Sequence, residues 1–201
     1  SEASGELVPC RVFVPSRYAE AEKVPFILFL HGGGGDENYW PEMEGGTILT
    51  ALEKHGYLAA MPKWHRRNHP EENLDQLLRW IREAYPKIDP ERMYCTGISM
   101  GGFGTYSLAV RRPDLFAAVC CVSGTGDPAK AKTLGDLPVM IIQGGSDGVV
   151  PPAGARKVAA TMKEQGQKVK LHIFATYGHG YHVADYLPLT LRFFEKHRKG
   201  E

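Results

Sequence analysis

At 201 residues the chain is long enough for one domain with a sizeable buried core. Its 24 Lys and Arg stand against 23 Asp and Glu, and a net charge of +1 excludes broad electrostatic attraction to nucleic acid or acidic membrane. No apolar run approaches the ~20 residues of a membrane span.

The first predicted element is an edge strand at Arg11–Val14, closed by Pro15. Val24 to Leu30 is the longest apolar run; it contains Pro25, and its part Phe26-Ile27-Leu28-Phe29-Leu30 reads as a central strand buried on both faces. Tyr57–Met61 is a third strand, stopped by Pro62. Leu74, Leu77, Leu78, Ile81 and Tyr85 recur at helical spacing and predict an amphipathic helix ending before Pro86. Arg92–Thr96 is a strand running into Gly97-Ile98-Ser99, and a helix follows to about Arg112. Ala117–Val122 and Val139–Gln143 are further buried strands. Pro151 to Gln165 reads as a helix, Val169–Phe174 as a strand nearer the sheet edge, and Leu187 to His197 as a closing amphipathic helix. Strands alternating with helices argue for a mostly parallel sheet covered on both faces. With no repeat, low-complexity segment or linker, residues 1–201 are expected to form a single α/β domain.

Cys10, Cys95, Cys120 and Cys121 have no metal-site or redox spacing. Adjacent Cys120 and Cys121 should point to opposite faces of a strand, which disfavours a bridge between them. The sequence opens with neither an initiator Met nor a signal-peptide pattern, and the compartment is left open; a soluble chain is expected, with cytoplasmic slightly favoured over secreted. The basic tail Lys196-His197-Arg198-Lys199 reads as a solvated chain end.

Gly97-Ile98-Ser99-Met100-Gly101 has the G-x-S-x-G form of a nucleophile elbow, in which a serine sits on a strained strand-to-helix turn. Side chains two positions either side would collide with neighbouring backbone, hence the glycines. A serine hydroxyl needs a base to take its proton. His179, in the loop Tyr177-Gly178-His179-Gly180 after the last predicted strand, is the candidate, with His182 the alternative. His172 should face solvent. His65 and His69 have a four-residue spacing but lack the Glu of a zinc-hydrolase helix, and Pro70 opposes a continuing helix, so no metal site is assigned. The orienting carboxylate is expected from Asp147, in Gly144-Gly145-Ser146-Asp147-Gly148, with Asp127 its rival; the order Ser99, Asp147, His179 is that of this strand–turn–helix arrangement. For a developing oxyanion the expected N–H donors are Met100, next to the serine, and Gly33 of His31-Gly32-Gly33-Gly34-Gly35, with Gly34 next. His31 is expected to be a structural hydrogen-bonding residue. The glycine run lacks a P-loop or dinucleotide pattern, so no nucleotide cofactor is expected. Tyr39, Trp40, Trp64, Tyr177 and Tyr181 flank these loops and are candidates for an aromatic substrate platform.

With these residues laid out, the chain resembles the phospholipase/carboxylesterase and dienelactone-hydrolase branch of the α/β-hydrolases, and is similar also to esterase-type polyhydroxybutyrate depolymerases and feruloyl esterases. The resemblance is carried by Phe29 to Gly34, Ile88-Asp89-Pro90-Glu91-Arg92, Gly97 to Gly102, Gly144–Pro151 and Gly178-His179. It implies hydrolysis of small-molecule carboxylic esters with short-to-medium or aromatic acyl groups through an acyl-enzyme, without cofactor. The same three residues would also serve a thioesterase, lysophospholipase or peptidase, and a non-catalytic binding protein of the same fold is the rival from another class. The family usually has His-Gly before the acid, where this chain has Gln143-Gly144. Only Gly124 to Pro138 separates two strands where many relatives insert a lid, so little or no lid is expected. Oligomeric state is not readable from these residues.

Overall fold

A computed structural model describes residues 8–64, 71–180 and 182–200. Seven strands form one sheet among these residues. In chain order they are β1 (Cys10–Phe13), β2 (Val24–Leu30), β3 (Leu58–Pro62), β4 (Ile88–Ile98), β5 (Ala118–Val122), β6 (Val139–Gly144) and β7 (Val169–Phe174). Their spatial order is β1-β3-β2-β4-β5-β6-β7, with β1 antiparallel to β3 and every other pairing parallel. Six α-helices accompany them: α1 (Tyr39–Glu42), α2 (Thr47–His55), α3 (Glu71–Ala84), α4 (Met100–Arg111), α5 (Pro152–Glu164) and α6 (Val183–Phe194).

The composition of β2 explains the layering. Every residue from Val24 to Leu30 is buried, so the strand needs an apolar layer on each side. Phe26, Leu28 and Leu30 join Leu74, Leu78 and Ile81 of α3, Tyr106 and Leu108 of α4, and Val158 and Met162 of α5. Ile27 and Phe29 point the other way, to Trp40, Ile48 and Leu52 of the α1–α2 segment and Leu187, Leu191 and Phe194 of α6. The same alternation sends Cys121 into the first layer and Cys120 into the second, and all four cysteines are free. Burial pushes the Cys95 and Cys120 thiols up to about 12, so neither is a thiolate near neutral pH.

Several boundaries differ from those the sequence suggests. β1 starts at Cys10, one residue earlier, and β3 includes Pro62 as its last residue. β4 begins at Ile88 rather than Arg92, because Val24 pairs Ile88 and Phe26 already pairs Met93. Pro25 lacks an N–H for the ladder, and the register shifts across it. The extra residues on β4 are used: Asp89 accepts from Glu91 N–H and Arg92 Nε, and Arg198 lies 3.4 Å from it. Helix α6 starts at Val183, four residues before the expected start, and continues through Pro188. Helix α2 ends at His55, where Gly56 supplies the left-handed cap (φ 68°).

Because β2 to β7 are parallel, the loops following them gather at one end of the sheet, where such folds bind ligands. Among the described residues no helix is long and apolar enough to cross a membrane.

Among the described glycines, the closest approach of one backbone to another is where α4 starts against the end of β2. A Cβ on Gly101 would collide with the carbonyl group of Leu30, and one on Gly97 would come 2.5–2.6 Å from the carbonyl oxygens of Gly101 and Leu30. Backbone cannot yield as a side-chain tip can. Gly101→Ala is therefore expected to cost at least about 3 kcal/mol, a fall in melting temperature of about 6–12 °C for a chain of this size. Gly154→Ala, at a position with open space in α5, is the control and should be neutral or stabilising by thermal unfolding.

Candidate active site

Ser99 lies between β4 and α4 with φ 54° and ψ −114°, a conformation an L-residue rarely adopts. The surroundings hold it there: Ser99 N–H donates to the Val122 carbonyl (2.8 Å) and its own carbonyl accepts from Phe103 N–H (3.0 Å). The turn lifts the hydroxyl off the sheet toward the loop after β7. There Ser99 Oγ is 2.9 Å from His179 Nε2, and His179 Nδ1 is 2.9 Å from Asp147 Oδ2. A carboxylate can only accept, so Nδ1 carries the imidazole proton in the neutral ring. Nε2 is then the acceptor and the serine hydroxyl donates to it.

Asp147 is buried, 4% exposed, and each oxygen has partners. Oδ1 accepts from Val149 N–H (2.9 Å) and Val150 N–H (2.8 Å), an Asx-type turn. Oδ2 accepts from His179, from Gln143 Nε2 (2.9 Å) and from Ser123 Oγ (3.3 Å). Burial alone would raise its pKa; the bonds from Val150, His179 and Val149 outweigh that and hold it below the ordinary carboxylate value.

The loop after β2 approaches the same end. Gly35 N–H donates to the Gly32 carbonyl (3.2 Å), closing a turn whose third residue, Gly34, has φ 78° as a type II turn requires. Gly33 faces open space, whereas a Cβ on Gly35 would strike the Tyr39 and His31 rings. His31 is buried, accepting Trp64 N–H at Nε2 (3.1 Å), so its Nδ1–H donates to the Gly32 carbonyl (2.7 Å). It supports the loop from below. Met100, as the first residue of α4, has an amide with no carbonyl four residues behind it in the helix.

The alternatives from the sequence lie elsewhere. Asp127 caps a short 3₁₀ turn at Pro128–Leu134 by accepting from Ala129 N–H. His182 is 81% exposed at its side chain and lies 3.3 Å from Glu44 Oε1, not beside Ser99. His172 is half-buried against Phe174 instead of facing solvent. Tyr181, His65 and His69 lie outside the described residues. The aromatic platform is revised: Trp40 and Trp64 are core residues, 2% and 1% exposed, the former against Phe29 and the latter over Gly104. Tyr39 is half-buried against His31 and Trp40. Tyr177 stacks on Phe174 and donates to Asp185 of α6 (2.8 Å), tying down the loop that carries His179.

Sequence reasoning missed three supports. Ser123, directly after β5, and Gln143, last but one in β6, are ordinary polar residues in the sequence, and only the structure brings both to Asp147. Glu44 is the third. Its carboxylate accepts from Val183 N–H (2.6 Å) and Ala184 N–H (3.3 Å), capping α6 just after the His179 loop.

A model of the dienelactone hydrolase family matches residues 58–187, well over half the chain and containing Ser99, Asp147 and His179. The chain belongs to the dienelactone hydrolase family. NocK of Nocardia uniformis subsp. tsuyamanensis, named as an esterase, is 29% identical to this family member over 168 residues, covering 77% of this chain and 49% of that protein. An endo-1,4-beta-xylanase/feruloyl esterase of Xylanibacter ruminicola is 24% identical over 195 residues, 85% of this chain and 27% of that protein. The chain thus spans about half or less of these relatives' length. Among solved structures, a thermostable esterase superposes with a TM-score of 0.81 at 26% identity, covering 99% of this chain and 61% of the other. A ferulic acid esterase superposes with a TM-score of 0.77 at 18% identity, covering 96% and 95%, and shows the shared fold.

Two outcomes are expected from these contacts. Glu44→Ala removes the cap of α6 and should cost about 1 kcal/mol, or about 2–4 °C in melting temperature. Glu44→Gly should lose less, because φ 47° at this position suits glycine. For Asp147 the folded pKa is the lowered one, so its contribution to stability is present above the unfolded value and is lost as pH falls through the folded value. The stability gap between wild type and Asp147→Asn in urea titrations should therefore narrow below about pH 4.

Proposed function

We propose that the protein is a serine carboxylesterase acting on short-to-medium or aromatic acyl esters. The observation that carries this reading is the continuous hydrogen-bonded series Ser99–His179–Asp147 at the ligand-binding end of the sheet. Ser99 Oγ attacks the ester carbonyl while His179 Nε2 takes its proton. Asp147 holds the ring through Nδ1–H and stabilises the imidazolium. The amides of Gly33 and Met100 donate to the oxyanion. His179 then protonates the leaving alcohol, and water, activated by the same nitrogen, hydrolyses the acyl-Ser99 ester. Every step uses groups of this chain and calls for no metal or cofactor.

The acyl preference draws on the relatives, among them the feruloyl esterase of Xylanibacter ruminicola and an acetylxylan esterase/xylanase of Neocallimastix patriciarum. Their names describe an aromatic and a two-carbon acyl group. A short connection between β5 and β6, with one 3₁₀ turn, leaves little material there to enclose a long acyl chain.

The test is p-nitrophenyl acetate and butyrate hydrolysis, followed by methyl ferulate. Ser99→Ala should lower kcat by at least about four orders of magnitude, and Asp147→Asn by about the same. A fluorophosphonate should add one label, at Ser99, by intact-mass analysis, and a chelator should leave the rate unchanged. A folded wild type that neither hydrolyses these esters nor takes the label would remove the enzyme reading in favour of a binding protein. Faster turnover of acyl-peptide anilides than of esters would make it a peptidase.

A further inference from the structure

Gln143 is the last but one residue of β6 and is buried, 1% exposed. Its amide nitrogen donates to Asp147 Oδ2 (2.9 Å) and to the Val150 carbonyl (2.9 Å). Both N–H bonds are thus spent closing the turn that presents Asp147. Oδ2 is also the oxygen that His179 Nδ1 contacts, and Ser123 Oγ reaches it from the end of β5. Ser123 is fully buried and has φ 48°. Donors from the end of β6, the residue after β5 and the loop after β7 therefore converge on one oxygen, two of them neutral and unable to titrate.

We infer that Gln143, assisted by Ser123, is a positioning residue that fixes the Asp147 carboxylate toward His179 and thereby sets the acid limb of the rate–pH profile. The inference rests on the triad reading proposed above. Its physical basis is competition. Each neutral N–H or O–H on Oδ2 stabilises the carboxylate charge, leaving less of it to favour the imidazolium. Removing a donor leaves more of the Oδ2 charge to face the imidazole, so the acid limb of the rate–pH profile should move up. The removal also frees the carboxylate to rotate, which lowers the rate at the pH plateau. Among the described residues, the other charged groups on the segments flanking this network are Asp185, bound to Tyr177, and the Glu44–His182 pair at the start of α6. They are unchanged by substitution at Gln143.

The experiment is the pH profile of kcat/KM for p-nitrophenyl acetate, with melting temperature measured alongside. Gln143→Met keeps the length and deletes both donated bonds. Its acid limb is expected to move up by about half a pH unit, with a plateau lowered about tenfold in kcat and little change in KM. Gln143→His, which restores an N–H donor, should recover most of the plateau. Ser123→Ala deletes only the third donor and should move the limb up by a smaller amount, and it decides the matter if Gln143→Met does not fold. An unchanged acid limb in the folded variants overturns the inference. A wild type without Ser99-dependent hydrolysis instead overturns the triad reading, so the two failures are distinguishable.

Discussion

The carbonyl of Leu30 meets the start of α4 with no room for a side chain at Gly97 or Gly101. This contact decides where the helix can begin. With α4 pressed onto the end of β2, the chain leaving β4 must turn within one residue, and Ser99 takes the left-handed φ that the turn demands. The same contact brings the loop after β2 beside the serine. Gly32 consequently lies against Ile98, the residue before Ser99, although the two are 66 positions apart. A looser join would relax Ser99 and let the two loops part.

The opposite side of the site is organised by a buried anion. Asp147 is taken out of water, and this is tolerable only because its oxygens are filled by two backbone amides, an imidazole, an amide side chain and a hydroxyl. These donors come from the ends of β5 and β6, the turn after β6 and the loop after β7. Desolvating the carboxylate thus forces four segments into register. The loop after β7 gains two further anchors, Tyr177 to Asp185 and Glu44 to the first amides of α6. His179 is delivered to Ser99 by a frame fixed on both sides.

Much of this was legible in the sequence. The apolar runs located every strand of the parallel sheet, and the glycine spacing around Ser99 carried its own steric reason. Chain order paired Asp147 and His179 with it. What stayed hidden was long-range. Gln143 lies in a strand, and Ser123 directly after one, whose neighbours only the sheet order reveals. Glu44 reaches Val183 across 139 positions, which no local pattern encodes. Trp40 and Trp64 were read by position beside glycine loops, but core volume decided their direction. Local chemistry also hid the start of α6, where Pro188 sits inside a helix that the packing of Val183, Tyr186 and Leu187 sustains.

Among the described residues, the non-glycine positions with left-handed φ are Glu44, Ser99 and Ser123. Each such residue costs of order 1–3 kcal/mol and persists only if its surroundings over-determine it. Ser99 and Ser123 are over-determined by bonds that end in the site, and Glu44 by bonds to the start of α6. Ser99 is held by Val122 and Phe103 and contacts His179, Ser123 reaches Asp147, and Glu44 caps the helix that follows the His179 loop. Strain here coincides with preorganisation rather than with mobility. Backbone that has already adopted the costly conformation need not reorganise when charge develops at the substrate, and the fold meets that cost through burial on both faces of the sheet. A substitution that relaxed one of these residues would be expected to trade stability gained for alignment lost.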